Sequence, residues 1–150
     1  MIIGAGTVTT VQQVSQVCDA GAQFVVSPNT NERVVLETCR RGMASFPGAF
    51  TCTEVMKAFD VGAHAVKVFP MVDASPRLIK ALIAPLGEVL LIPTGGISAR
   101  NASSYVASGA FALGIGSELV SPKILKPNGL KSLYKTATEL TRLLKEYQAR

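Results

Sequence analysis

One phrase recurs along the chain and constrains its fold more than any other feature: a glycine, a short apolar run, then proline, glycine or serine. It appears as "DAGAQFVVSP", "CRRGMASFPG", "DVGAHAVKVFP" and "ASGAFALGIGS", around Gly21, Gly42, Gly62 and Gly109. A glycine just past a helix supplies the positive φ that a C′ residue needs. The apolar run that follows fits a strand buried on both faces. Each repeat is therefore the end of a helix and the strand after it. Helix starts follow on cue. Thr51-Cys52-Thr53-Glu54 is a capping box, Ser75-Pro76 sets a cap before a proline at N1, and Ser98 is placed to cap a helix running to Val106.

Strands are expected near Ile2–Gly4, Phe24–Ser27, Ala44–Phe46, Ala65–Phe69, Val89–Pro93 and Ala112–Ile115. Helices are expected near Thr10–Ala20, Glu32–Arg41, Glu54–Asp60, Pro76–Ala84, Ala99–Ala107 and Leu130–Tyr147. About six β/α units demand a parallel sheet covered by helices. An open doubly wound sheet and a (β/α)8 barrel both meet that demand. A complete barrel usually takes about 200 residues or more, and this chain has 150. At that length residues 1–150 are expected to form a single domain with its own core.

Composition narrows the function classes. With 48% hydrophobic and 17% charged residues, disorder is excluded. No apolar run reaches the roughly 18 residues of a membrane helix, Lys80 and Glu88 breaking the longest stretch. The first residues lack a basic segment followed by an apolar one, so a soluble cytoplasmic protein is expected. The net charge of +5 falls entirely after Leu119, where seven Lys and Arg face Glu139 and Glu146. Residues 128–150 read as a basic amphipathic helix along Leu130, Leu133, Ala137, Leu140 and Leu144. A solvated helix face accounts for that charge better than a nucleic-acid footprint. Cys18, Cys39 and Cys52 form no C-x-x-C pair, and His64 is the single histidine, so no metal, cofactor or disulfide is expected.

In a parallel α/β fold ligands bind beyond the carboxyl ends of the strands. Those ends read Gly4-Ala5-Gly6-Thr7, Ser27-Pro28-Asn29, Pro47-Gly48, Lys67-Val68-Phe69-Pro70, Pro93-Thr94-Gly95-Gly96 and Gly114-Ile115-Gly116-Ser117. They are rich in Gly, Thr and Ser and nearly without carboxylates, which suits an anion held by backbone N–H groups. Gly95 and Gly96 let the chain approach a ligand ahead of a helix N-terminus, and Gly116-Ser117 adds a second nest with a hydroxyl. The bland reading is that these glycines only make tight turns.

Lys67 stands at the centre of an apolar strand. Alternation puts Ala65, Lys67 and Phe69 on one face and Val66 and Val68 on the other. A buried ammonium is held below its usual pKa, and a partly neutral lysine is a nucleophile able to form a Schiff base with a carbonyl. The alternative is a lysine guarding an edge strand or snorkelling to the surface.

The segments GAGTV (Gly4–Val8), AGAQFVVSP (Ala20–Pro28), PGAFTCTE (Pro47–Glu54), KVFP (Lys67–Pro70), PTGGIS (Pro93–Ser98) and GIGS (Gly114–Ser117) occur in this order. Together they resemble the 2-keto-3-deoxy-6-phosphogluconate / 4-hydroxy-2-oxoglutarate aldolases. The resemblance implies a (β/α)8 barrel of the TIM type, commonly a trimer, catalysing a class I, metal-free aldol cleavage of a phosphorylated 2-keto acid. It implies Lys67 as the Schiff-base lysine, Thr7 on the pyruvate carboxylate, and Pro28 and Phe69 lining the pyruvate pocket. Thr94 would touch a substrate hydroxyl, while Gly95, Gly96, Gly116 and Ser117 would hold the phosphate. The family's general acid/base glutamate and a carboxylate-binding arginine precede the GAGTV segment. The expectation is therefore a barrel of about six units lacking the first two, with a gap and two exposed strand edges, catalytically impaired or completed by a partner. Glu54 and Glu118 are not expected to substitute for the glutamate. Asn29, "SPRLIKAL" and "GIGSEL" lean toward the 6-phosphogalactonate branch, and Thr94 toward the phosphogluconate one, which is favoured. Two further readings are a non-catalytic chain keeping an anion site, and another phosphate-binding barrel enzyme in which Lys67 is incidental.

Overall fold

A computed structural model describes residues 2–122 and 129–148. Strands and helices alternate as β1 (Ala5–Gly6), α1 (Val11–Asp19), β2 (Phe24–Val26), α2 (Glu32–Arg40), β3 (Ala44–Phe46) and β4 (Gly48–Ala49). They continue as α3 (Cys52–Asp60), β5 (Val66–Val68), α4 (Pro76–Leu86), β6 (Leu91–Pro93), α5 (Ala102–Ala107) and α6 (Gly129–Gln148). All strand pairs are parallel and follow chain order, β1-β2-β3 and then β4-β5-β6. Only Pro47 separates β3 from β4, so one stretch of chain pairs with β2 on one side and β5 on the other. The result is a single curved wall with helices outside it.

The glycines of the repeated phrase sit where expected, Gly21, Gly42, Gly62 and Gly109 all having positive φ one residue past a helix C-cap. Thr51 and Glu54 form the capping box of α3, and the Ser75 hydroxyl accepts from the Arg77 N–H with Pro76 at N1 of α4. Thr10 and Gln13 form a second capping box, at α1.

Four local expectations are corrected. The first strand lies at Ala5–Gly6 rather than Ile2–Gly4, because the ladder bonds to β2 begin only there. Gly48–Ala49 is an additional strand, made possible by the bend at Pro47. The stretch at Ala112–Ile115 is reduced to one parallel bridge between Gly114 and Thr94, supported by bonds from Phe111 N–H to Leu91 and Gly114 N–H to Pro93. Finally, α5 starts at Ala102, not Ala99, and Ser98 does not cap it. The Ser98 N–H instead donates to Asn101 Oδ1 at 2.8 Å, closing a separate turn.

The three-residue strands β2, β3, β5 and β6 each show two faces. Val25, Val66, Val68 and Leu91 are fully buried against the helices. Phe24, Val26, Ala44, Phe46, Lys67 and Ile92 occupy the opposite, concave face and are half-buried. The helix-side core forms two clusters, Val8-Val14-Val25-Val34-Met43 under α1 and α2, and a larger one under α3, α4 and α5. Leu140 is 7% exposed and seats α6 on this body, beside α5. The basic excess expected after Leu119 is partly described: Arg142 faces Glu146 on α6 at 3.6 Å, whereas Lys123, Lys126 and Arg150 lie outside the described residues. No described helix is long and apolar enough to cross a membrane.

Candidate active site

The sequence-predicted residues gather at the carboxyl ends of the strands, on and above the concave face. Lys67 pairs with Gly48 on one side and Ile92 on the other, so β5 is an interior strand and the edge-guard explanation for its lysine falls. Because Val66 and Val68 face the helices, Lys67 must face the concavity. Its Nζ lies 4.2 Å from the centroid of the Phe69 ring, two residues on and on the same face. Two effects oppose each other here. The ring's negative face favours the ammonium, while burial disfavours it, and burial dominates: the Lys67 amine is held below the usual lysine range. Such an amine is neutral more often than a surface lysine's, which is the condition for attack on a carbonyl carbon.

Phe69 and Pro28 share one pocket of about 320 Å³, closed by Thr30, Gly48, Phe50 and Glu54. Gly48 is required there, since a Cβ at this position would collide with the Pro28 carbonyl. Lys67 is not in this lining and meets it through the Phe69 ring. A larger groove of about 840 Å³ runs between α2 and α3, away from the strand ends. It is lined by helix side chains, including the Glu32–Lys57 ion pair, and contains none of the predicted site residues.

Thr7 follows β1 with φ of 60°, an unfavourable region for a β-branched residue, and its side chain is exposed at the strand end. Thr94 continues β6. Its N–H donates to the Val68 carbonyl and its hydroxyl turns back to the Ile92 carbonyl at 3.1 Å. Gly95 and Gly96 have φ of 92° and 70°, and a Cβ on Gly96 would stand 3.1 Å from Val72 Cα. Among the described residues nothing accepts from the N–H groups of Gly95, Gly96 or Ile97, although Ile97 is 1% exposed. Three consecutive unpaired N–H groups at a strand end suit an anion. The helix dipole expected to support them lies further off, because α5 begins only at Ala102. Gly116 and Ser117 open an exposed turn closed by bonds from the Leu119 and Val120 N–H groups to the Gly116 carbonyl.

Glu54 accepts from the N–H groups of Phe50 and Thr51 and from the Thr51 hydroxyl, and these bonds hold its carboxyl below the usual range. It serves the α3 cap, as the sequence indicates. Sequence reasoning missed Asn101, whose side chain bonds the Gly96 carbonyl, and Tyr105, whose hydroxyl bonds the Ala74 carbonyl; the only signal was an Asn three residues past Ser98.

A desolvated lysine on an interior strand and an amide-lined glycine turn, both at the carboxyl end of a curved parallel wall, define a (β/α)-barrel protein. Residues 1–136 match the family described as Aldolase: KDPG and KHG aldolase. The chain belongs to that family. It is 43% identical over 108 residues to the 2-dehydro-3-deoxy-phosphogluconate aldolase of Treponema pallidum, covering 71% of this chain and 51% of that one. A solved structure titled native KDPGal superposes with a TM-score of 0.88 at 30% identity, over 99% of this chain and 71% of that one. Legionella pneumophila KDPG aldolase, with pyruvate captured as a covalent carbinolamine, superposes with a TM-score of 0.73 at 28% identity, over 95% and 66%. The chain spans between 50% and 69% of the length of curated relatives that it matches.

Proposed function

We propose that the chain carries the Schiff-base half of a class I aldolase site for a phosphorylated 2-keto-3-deoxy acid, with 2-keto-3-deoxy-6-phosphogluconate as substrate. The observation that carries this reading is the desolvated Lys67 amine on the concave face of an interior strand. Its neutral form attacks the C2 ketone; loss of water gives a protonated imine. Electrons of the C3–C4 bond flow into that imine as the C4 hydroxyl gives up its proton, releasing glyceraldehyde 3-phosphate and leaving the enamine of pyruvate. Protonation at C3 and hydrolysis then return pyruvate and the Lys67 amine.

In this reading Pro28 and Phe69 bound the pyruvate, Thr7 holds its carboxylate and Thr94 touches a substrate hydroxyl. Gly95, Gly96, Gly116 and Ser117 take the phosphate. Support for the last role comes from the N–H groups of Gly95, Gly96 and Ile97, which find no acceptor among the described residues. The proton of the C4 hydroxyl needs an acceptor, and Glu54 is committed to its helix cap. A homo-oligomer, trimeric as the resemblance implies, belongs to the same proposal, and sedimentation checks it.

The test separates imine formation from turnover. Borohydride with pyruvate is expected to add one reduced pyruvyl group at Lys67, and Lys67→Ala to abolish it; an unmodified parent chain would sink the reading. The 6-phosphogalactonate alternative is favoured by the closeness to the KDPGal structure. Relative rates on the two C4 epimers, or relative protection of Lys67 by them, decide between the branches.

A further inference from the structure

We infer that Asn101 and Tyr105 are positioning residues which clamp the Gly95-Gly96 turn from its two sides and so set its affinity for a phosphoryl group. The inference rests on the phosphate role proposed above for that turn.

The clamp is a closed path of hydrogen bonds. From one side, Asn101 Nδ2 donates to the Gly96 carbonyl at 2.9 Å, while Asn101 Oδ1 accepts from the Ser98 N–H at 2.8 Å. One amide thus fixes both ends of the segment Gly96-Ile97-Ser98. It also takes the Ser98 N–H out of the anion site, which leaves Gly95, Gly96 and Ile97 as the available donors. From the other side, the Tyr105 hydroxyl donates to the Ala74 carbonyl at 2.9 Å. The Ala74 N–H donates to the Met71 carbonyl at 3.2 Å, and the Met71 N–H to the Thr94 carbonyl at 3.0 Å. The segment Met71–Ala74 lies close against the glycines, where a Cβ on Gly95 or Gly96 would stand 3.3 Å from Met71 N or 3.1 Å from Val72 Cα. The two halves join at the start of α5, where the Tyr105 N–H donates to the carbonyl of Asn101, its N-cap residue, at 3.3 Å.

The Tyr105 ring is 2% exposed, packed in the main core cluster with Met71 and Ile97. Core packing alone would be met by phenylalanine. The hydroxyl adds a directed bond to the loop that follows the Lys67 strand and lies against the glycine turn, whereas the strand itself is held by its own ladder bonds. Preorganised N–H groups bind an anion without first ordering the turn, and losing one such constraint lowers affinity.

The test uses the full 150-residue chain and inorganic phosphate as probe, followed by amide NMR shifts of Gly95, Gly96 and Ile97. The parent is expected to bind phosphate at these three amides. Tyr105→Phe is expected to weaken that binding by about fivefold, the loss of one net hydrogen bond, and Asn101→Ala, which removes two bonds to the turn, by at least as much. Borohydride trapping of pyruvate on Lys67 proceeds in both variants at the parent rate, a separation that general loosening of the core would not give. Two variants guard against either one failing to fold, and thermal midpoints confirm that the folded state is being compared. Parent-like phosphate affinity in folded variants overturns the clamp while leaving the aldolase reading intact. Equal loss of phosphate binding and Lys67 trapping overturns it too, in favour of a structural role. A parent chain that traps pyruvate without phosphate shifts at these amides overturns both the clamp and the phosphate role.

Discussion

Lys67 is costly to the folded state and useful for the same reason. Its amine is held below the ordinary lysine value of 10.5 by burial, so the folded state binds its proton less tightly than the unfolded state does. The cost is present in full below the folded pKa and disappears as pH rises through the window up to 10.5. Lys67→Met, which keeps the volume and removes the charge, is therefore expected to raise the thermal midpoint at neutral pH while abolishing pyruvate trapping. The gain in midpoint should shrink as the pH approaches the ordinary lysine value, and calorimetry across that range checks it. Gly48 makes the complementary point about shape. Gly48→Ala drives a methyl group into the Pro28 backbone, an obstacle that cannot rotate away, and is expected to cost about 3 kcal/mol, the upper end of overpacking effects. Chemical denaturation measures it. The Lys67 position in an apolar run was legible from the sequence, because a charge in a buried strand stands out. The crowding at Gly48 was not, because it depends on which other strand end lies beside it.

Among the elements, α1 and α2 are joined by a charged staple that no motif announced. Glu37 Oε1 accepts from Arg41 Nε at 2.7 Å, Arg40 bonds both carboxylate oxygens, and Arg41 reaches across to the Ser15 hydroxyl at 2.8 Å. Bonds to the two guanidinium groups, Arg40 first, pull the Glu37 carboxyl down from 4.5 to about 2. A lowered folded pKa contributes stability that is present above the unfolded value and lost as pH falls from 4.5 toward 2. Glu37→Gln is expected to flatten the pH dependence of the unfolding midpoint across that interval and to leave it unchanged between pH values near neutrality. The helix boundaries themselves were largely readable, since glycine at C′ and Ser or Thr at the N-cap are local devices. The start of α5 was misjudged for a local reason as well: Asn101 outcompetes the Ser98 side chain for the turn, and the sequence offers both.

For the whole molecule, the two core clusters under the wall suggest where cooperativity is weakest. Val8, Val14, Val25, Val34 and Met43 pack under α1 and α2, and the larger cluster packs under α3 to α5. Their common strand passes through Pro47, which donates no ladder bond. Val25→Ala, at a fully buried position, is expected to cost about 2 kcal/mol. Native-state hydrogen exchange should then show faster opening in β1 to β3 than in β4 to β6, whereas uniform acceleration would mean that the wall opens as one unit. The sequence by itself determined the alternation of buried strands and capped helices, their parallel arrangement, and the strand ends as the place for Lys67 and the glycines. Those conclusions follow from periodicity, capping and burial, which are properties of a few neighbouring residues. Only the tertiary structure decided that the wall curves through Pro47, that β5 is interior, and that Asn101 and Tyr105 converge on the Gly95-Gly96 turn. These are relations between residues far apart in the chain, fixed by ladder register and by which side chains the packed helices bring to the same point.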